Sequence, residues 1–308
     1  MREMAPLANP LELEAARGRA GVASLGDYVQ LLKPRIVLLL IITAYCAMVV
    51  AAHGLPAFWP SLVGTLGLAL SAGGAHAVNM WYDRDIDRLM ARTNDRPVPS
   101  GRIPATRSLA IGIALEAASF ALLLDLNLLT ALLSLGGFVY YVVIYTMWLK
   151  RRTPQNIVIG GGAGAFPPLI GWAAVTGHLS LAAFWMFLII FLWTPAHFWS
   201  LALFRQEDYR RAQVPMMPVA RGERATKVQA LMYTLMLLAA TLGLYLTGVV
   251  GSLYLVAAAV LGVGFVAMCL RLLGERPPEV RWAKATFGYS LIYLTLLFAA
   301  MVLNVHAI

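Results

Sequence analysis

The placement of positive charge constrains this chain more than any other feature. Nine apolar runs, near 36–53, 60–80, 107–124, 128–148, 156–175, 181–203, 229–249, 252–272 and 287–305, alternate with eight connections. All 24 Lys and Arg residues fall in the N-terminal segment and in the connections after the second, fourth, sixth and eighth runs. The remaining connections and the C-terminal tail carry none. Basic loops mark the cytoplasmic face of multi-spanning proteins, so the pattern predicts a cytoplasmic N-terminus and an external C-terminus. Thirteen of the 15 acids share the basic face, Glu116 and Asp125 being the exceptions.

Each run is close to the roughly 20 residues that cross a bilayer. In lipid every backbone polar group must be satisfied internally. With 60% hydrophobic and 13% charged residues, the expectation is one all-α polytopic membrane unit over 26–308, preceded by a polar, flexible tail over 1–25. The net charge of +9 does not point to nucleic acid. No binding module is visible, and cations beside a membrane serve topology and lipid head groups. Cys46 and Cys269 lie inside apolar runs without metal-type spacing and read as inert thiols. The first 30 residues lack a signal-peptide core and contain Glu3, Glu12 and Glu14. That is unlike an acid-poor mitochondrial transit peptide, so a bacterial plasma membrane is expected.

Long loops in compact proteins usually carry function, and here those after the second and sixth runs are the long ones. They echo each other: acids and arginines, then Pro97-Val98-Pro99 in one and Pro215-Met216-Met217-Pro218 in the other. An internal duplication with two facing half-sites would explain the echo.

The strongest local pattern is His76-x-x-Asn79-x-x-x-Asp83-x-x-x-Asp87. Steps of three and four put these side chains on one helical stripe, with successive carboxylates about 6 Å apart along the axis. Two carboxylates and an amide oxygen suit Mg²⁺, an ion usually completed by water and substrate phosphates. The bland alternative is a helix end whose acids pair with Arg84, Arg88 and Arg92. Acids at membrane depth are functional by default, which favours the metal; Asp85 lies off the stripe. Glu207-Asp208 closes the sixth run and could hold a second ion. Around both clusters lie Arg35, Arg92, Arg96, Lys150, Arg151 and Arg210. Acids, implied metal and cations at the mouth of an apolar bundle would hold a diphosphate with a greasy tail. A fifteen-carbon tail at about 0.8 kcal/mol per carbon gains on the order of 12 kcal/mol from burial. The run Gly160-Gly161-Gly162 lacks a phosphate loop's Lys-Ser/Thr ending and reads as close helix packing. Phe166-Pro167-Pro168 is expected to kink the fifth helix.

Asn79-x-x-x-Asp83-x-x-x-Asp87 resembles the first aspartate motif of the UbiA-type intramembrane prenyltransferases. Three further stretches resemble the branch that farnesylates haem: Leu149-Lys150-Arg151-Arg152 through Asn156-Ile157-Val158-Ile159-Gly160-Gly161, then Thr194-Pro195-Ala196-His197-Phe198-Trp199, and Asp208-Tyr209 leading to Val214-Pro215-Met216-Met217-Pro218. The likeness spans about Leu32 to Ile308. It implies nine helices around a central, laterally open cavity, with farnesyl diphosphate and haem B as substrates, haem O as product and Mg²⁺ as cofactor. It implies metal ligands at Asn79, Asp83, Asp87 and Asp208, and diphosphate contacts from Arg35, Arg96, Lys150 and their cationic neighbours. Haem or prenyl contacts would come from His76, Tyr145, Asn156, His197 and Trp199. His53, His178 and His306 are expected at the outer surface. Contact with haem A synthase or a terminal oxidase is allowed by the same likeness. Two departures stand out: Ala212 follows Asp208 where quinone-type relatives repeat an aspartate, and Ala196 replaces an expected proline. The rivals are a quinone-type acceptor for the prenyl group, and a transporter, whose acids should sit near the bilayer midplane.

Overall fold

The computed structural model describes residues 23–305. Most of the expected 1–25 tail, and His306, lie outside the described residues. Among those described, nine helices are long and apolar enough to cross a membrane: Pro34–Ala51, Phe58–Tyr82, Ala105–Leu124, Leu128–Leu149, Asn156–Thr176, Leu181–Phe204, Met217–Tyr245, Ser252–Gly274 and Arg281–Leu303. All are connected so that the basic loops gather at one end of the bundle.

Two spans begin earlier than hydropathy indicates. The seventh starts at Met217 rather than near 229, because its first turns carry Arg221, Glu223, Arg224 and Lys227. These residues are helix-forming but not apolar. Gly222, at φ 80°, ψ 168°, breaks the backbone inside that polar stretch. The ninth starts at Arg281 for the same reason. The fifth span is interrupted at Gly161, between Asn156–Gly160 and Gly162–Thr176, while Pro167 and Pro168 sit inside the second piece. The break therefore lies one to two turns before the prolines.

Lipid supplies no hydrophobic drive between helices, so small residues and hydrogen bonds hold the bundle. A Cβ on Gly74 would lie 2.7 Å from the Gly112 carbonyl oxygen, which puts the second and third spans in backbone contact. Ser108 and Ser119 extend that seam by donating to Ala77 O at 2.8 Å and Gly67 O at 2.7 Å. A Cβ on Gly171 would meet Ala44 O at 2.1 Å, joining the fifth span equally closely to the first.

Before the first span, Leu25–Leu31 forms a short helix closed by a capping box between Ser24 and Asp27. Lys33 follows at φ 52°, a left-handed conformation rare outside glycine. Pro34 then opens the first span, the position where its missing N–H costs nothing. Leu31, Ala77, Met80, Val98 and Ile103 form one buried cluster, which binds this helix and the first long loop to the second span. Arg102 adds a latch, bonding Asp27 at 2.8 Å and Asp95 at 3.0 Å. Those two partners hold its guanidinium proton more tightly than usual.

Candidate active site at the charged end of the bundle

The second span ends at Tyr82, and Asp83 serves both as its C-cap and as N-cap of a six-residue helix, Arg84–Leu89. Asp83 N donates to Asn79 O at 2.9 Å, and Asp87 N to Asp83 O at 2.8 Å. The four-residue rhythm thus survives the joint, and His76, Asn79, Asp83 and Asp87 are all buried. The sixth span is followed in the same way by a six-residue helix, Gln206–Arg211. Ile86 and Met90 from the first loop pack with Tyr209, Val214 and Met216 from the second. The two echoing loops therefore meet and close this end of the bundle.

Three of the four stripe residues, Asn79, Asp83 and Asp87, are met by a cation, while neither ring nitrogen of His76 has a hydrogen-bond partner. Lys150 Nζ pairs with Asp83 Oδ2, and Asn79 Nδ2 donates to the same oxygen at 2.7 Å. Arg96 pairs with Asp87 at 2.8 Å, and Lys33 Nζ donates to Asn79 Oδ1 at 3.0 Å. The local arginines do not fill this role: Arg84 bonds Trp81 O at 2.6 Å and Arg88 bonds Pro99 O at 2.8 Å. Lys33 is half-buried as a residue, but its ammonium is enclosed. Burial, then the nearby Arg96, push its pKa down to about 7, with Asp87 and Asp83 opposing. A buried charge left without its partner is costly, so this network is poised for a ligand that brings charge of its own.

The fourth span positions the other wall. Its last ten residues, Tyr140–Leu149, form a π-helix, with Lys150 N bonded to Tyr145 O at 2.9 Å. The five-residue hydrogen-bond step lets Tyr145 and Lys150 face the same hollow. Opposite, a Cβ on Gly160 would lie 2.1 Å from Tyr145 Cδ2. The glycine run is thus a seat for the tyrosine ring, in keeping with the packing expectation.

These groups stand at one end of a cavity of about 570 Å³, lined by the first, second, fourth, fifth, sixth and ninth spans. The size suits a small-molecule site. Beyond the charged end its wall is mostly apolar, from Leu68 and Phe138 to Phe166, Ile170 and Phe298, with a few hydroxyls and the rings of His76 and His197 among them. Ile36, Leu39 and Ile42 of the first span and Leu291 of the ninth line the cavity and are also exposed on the bundle's flank. The hollow therefore opens sideways between those two helices.

Of the sequence-derived candidates, Asn79, Asp87, Lys150, Arg92, Arg96, His76, Tyr145 and His197 line the cavity. Asp83 lies fully buried behind Lys150. The others are not brought there. Arg35 is exposed at the start of the first span. Arg151 grips Asp85 at 2.6 Å outside the hollow, reaches Asp83 only at 3.5 Å, and lies 4.9 Å over the Tyr82 ring. Arg210 is exposed and pairs with Glu207 at 2.7 Å, which lowers that carboxyl's pKa after the larger effect of Arg211. Asp208 is half-buried and not among the lining residues; on its short helix it is the apolar-packed Tyr209 that turns inward. Asn156 is buried behind the wall, donating to Lys150 O at 3.3 Å. Trp199 is buried against Tyr233. Lys33, Tyr141 and Tyr209 line the site without having been singled out. Lys33 carried one legible sign, a cation immediately before a span-opening proline, but its left-handed backbone leaves no mark in sequence.

Among the described residues no group of three or more His, Cys, Asp or Glu side chains is arranged to hold a metal alone. The hard oxygens of Asn79, Asp83 and Asp87 fit a divalent ion whose coordination is completed by other donors.

The fold and this site define an intramembrane prenyltransferase, and the chain belongs to the UbiA prenyltransferase family, whose pattern matches residues 40–302. It is 58% identical over 279 residues to Protoheme IX farnesyltransferase of Symbiobacterium thermophilum, covering 91% of this chain and 94% of that protein. Of a second protein so named, from Roseiflexus castenholzii, the chain spans about half the length, 52%, at 50% identity over 91% of its own. Among solved structures, digeranylgeranylglyceryl phosphate synthase superposes with a TM-score of 0.77 at 18% identity, over 91% of this chain and 98% of that one. A UbiA homolog from Archaeoglobus fulgidus bound to DMAPP and Mg²⁺ gives 0.62 at 18% identity, over 89% and 99%. At such identity the structures speak for the fold.

Proposed function

We propose that this multi-pass membrane protein transfers the farnesyl group of farnesyl diphosphate to a vinyl group of haem B, giving haem O and diphosphate. The observation that carries the reading is the buried stripe Asn79-Asp83-Asp87, matched by Lys33, Lys150 and Arg96 at the closed end of an apolar, laterally open cavity. The 58% identity to a protein named for this reaction gives the acceptor. A bacterial plasma membrane suits the charge pattern and the bacterial relatives. Acids gathered at one end rather than the midplane argue against transport.

Lys150, Arg96 and Lys33, with Arg92 at the rim, hold the diphosphate oxygens as the allylic C–O bond ionises. Stabilising charge as it develops is the largest contribution such a site makes. Mg²⁺, held by Asn79, Asp83 and Asp87, would neutralise the same leaving group. The apolar walls keep water from the allylic cation, and the Tyr141 and Tyr145 rings, 5.5 Å apart, offer it their π faces. The vinyl terminal carbon attacks, so no strong protein base is needed for that step. Water then adds to the neighbouring carbon to give the hydroxyethylfarnesyl product. Arg151 acts on Asp83 and Asp85 as a brace rather than on substrate.

The test is the purified protein in nanodiscs with haem B, farnesyl diphosphate and Mg²⁺, read by product mass. Haem O should accumulate, and Asp83→Asn, still inserted and folded, should not form it. Near-wild-type turnover by that variant would remove the carboxylate's role. Prenylation of an added aromatic acid in place of haem would favour a quinone-type acceptor.

A further inference from the structure

His197 sits in the sixth span seven residues before its end at Phe204, about 10 Å deeper than the charged rim at 1.5 Å per residue. Trp193 stacks on one side of its ring at 4.2 Å and Phe287 at 4.7 Å. The ring can therefore engage a ligand only through its edge. On that edge Nδ1 lies 2.7 Å from Ser290 Oγ, in the ninth span. Ser290 Oγ is also 2.6 Å from the Phe287 carbonyl oxygen. Two oxygens that close repel unless a proton lies between them, so the serine hydrogen is committed to the carbonyl. Ser290 can then only accept from His197, which puts the imidazole proton on Nδ1 and leaves the Nε2 lone pair free. Trp193 Nε1 donates to Ser290 O at 2.8 Å, so the hydroxyl and the carbonyl of Ser290 are both tied to the sixth span.

We propose that Ser290 locks His197 in the Nδ1–H tautomer so that Nε2 ligates the iron of the haem substrate from the cavity wall. This rests on haem being the acceptor, as inferred above. A metal-binding histidine ordinarily donates its second N–H to an oxygen partner that fixes ring and tautomer, and Ser290 supplies that oxygen here. Iron held at this depth leaves the charged end of the cavity to the diphosphate. His197 shares the sixth span with the lining residues Ile190, Trp193 and Phe198, and Ser290 adjoins Leu291, which is exposed on the open flank. A flat, largely apolar ring system can thus slide in from lipid and be captured by one coordinate bond. Ser290 is a positioning residue in this scheme and touches no substrate.

The test is titration of the purified, nanodisc-embedded protein with ferric haem B without farnesyl diphosphate, followed by Soret absorbance and electron paramagnetic resonance. The wild type should show a histidine-ligated spectrum. His197→Ala should lose it and regain it with added imidazole. Ser290→Ala should bind haem about 10–100-fold more weakly, whereas Ser290→Thr, which keeps the hydroxyl, should stay near wild type. Binding of farnesyl diphosphate, measured separately, should be unchanged in all three variants and serves as the folding control. A wild-type spectrum and affinity in both alanine variants would overturn the inference while leaving the acceptor assignment standing. Failure of the wild type to bind haem at all would overturn both.

Discussion

Gly160→Ala is the most informative small perturbation of this site, because it reaches the reaction only through packing. The new methyl carbon would lie 2.1 Å from Tyr145 Cδ2 and 2.8 Å from Cγ. Carbon atoms in contact prefer about 3.5–4.0 Å, so the ring must retreat by more than about 1 Å. It cannot do so freely, since it packs on Tyr141 at 5.5 Å. Overpacking of this kind costs about 1–3 kcal/mol. If half of that falls on the bound transition state, kcat/KM for farnesyl transfer drops about two- to twelvefold, at about 1.4 kcal/mol per decade. Haem O formation by the purified variant, beside its thermal unfolding in nanodiscs, would measure both effects. Gly288→Ala is the control: nothing lies within 4 Å of its added Cβ, so activity and stability should hold. Wild-type activity in Gly160→Ala would refute the claim that the glycine seats Tyr145 against the cavity.

Lys33→Met removes a charge-assisted hydrogen bond, worth about 1.5–3 kcal/mol, and should raise KM for farnesyl diphosphate roughly tenfold to hundredfold; an unchanged KM would remove Lys33 from the diphosphate site. Asp208→Asn should cost far less activity than Asp87→Asn, because Asp87 lines the cavity and Asp208 does not; equal losses would restore Asp208 as a ligand. Chelation by EDTA should suppress turnover more than about hundredfold, the several kcal/mol a metal supplies to a leaving oxyanion, and Mg²⁺ should restore it. Full activity in EDTA would leave the cations to act alone.

The architecture was legible because bilayer physics leaves few alternatives: apolar length and basic loops fixed nine spans, with errors only where polar turns extend a helix, as at Met217 and Arg281. The stripe was legible because its four-residue period survives the joint at Asp83. Which cations reach it was legible only in part: Lys150 and Arg96 were expected there, Arg35 and Arg210 were expected but stay outside, and Lys33 was missed. Lys33, Lys150 and Arg96 arrive from a left-handed residue, a π-helix and a folded loop, none of which has a periodic signature. Asp208 shows the converse. A six-residue helix presents an aspartate or its tyrosine neighbour according to a rotation that packing against Ile86 and Met90 decides. Ser290 could not be found from sequence, since its role depends on a contact with His197 across 93 residues.

The central claim is that the paired stripe receives the diphosphate while the prenyl chain fills the apolar cavity. An experimental structure with a non-hydrolysable farnesyl diphosphate analogue and Mg²⁺ tests it most directly. The diphosphate should lie against Lys150, Arg96 and Lys33, with the Lys150–Asp83 and Arg96–Asp87 pairs opened to admit it and the chain running toward Phe138 and Phe166. A diphosphate bound away from this stripe, with those two ion pairs intact, would contradict the account.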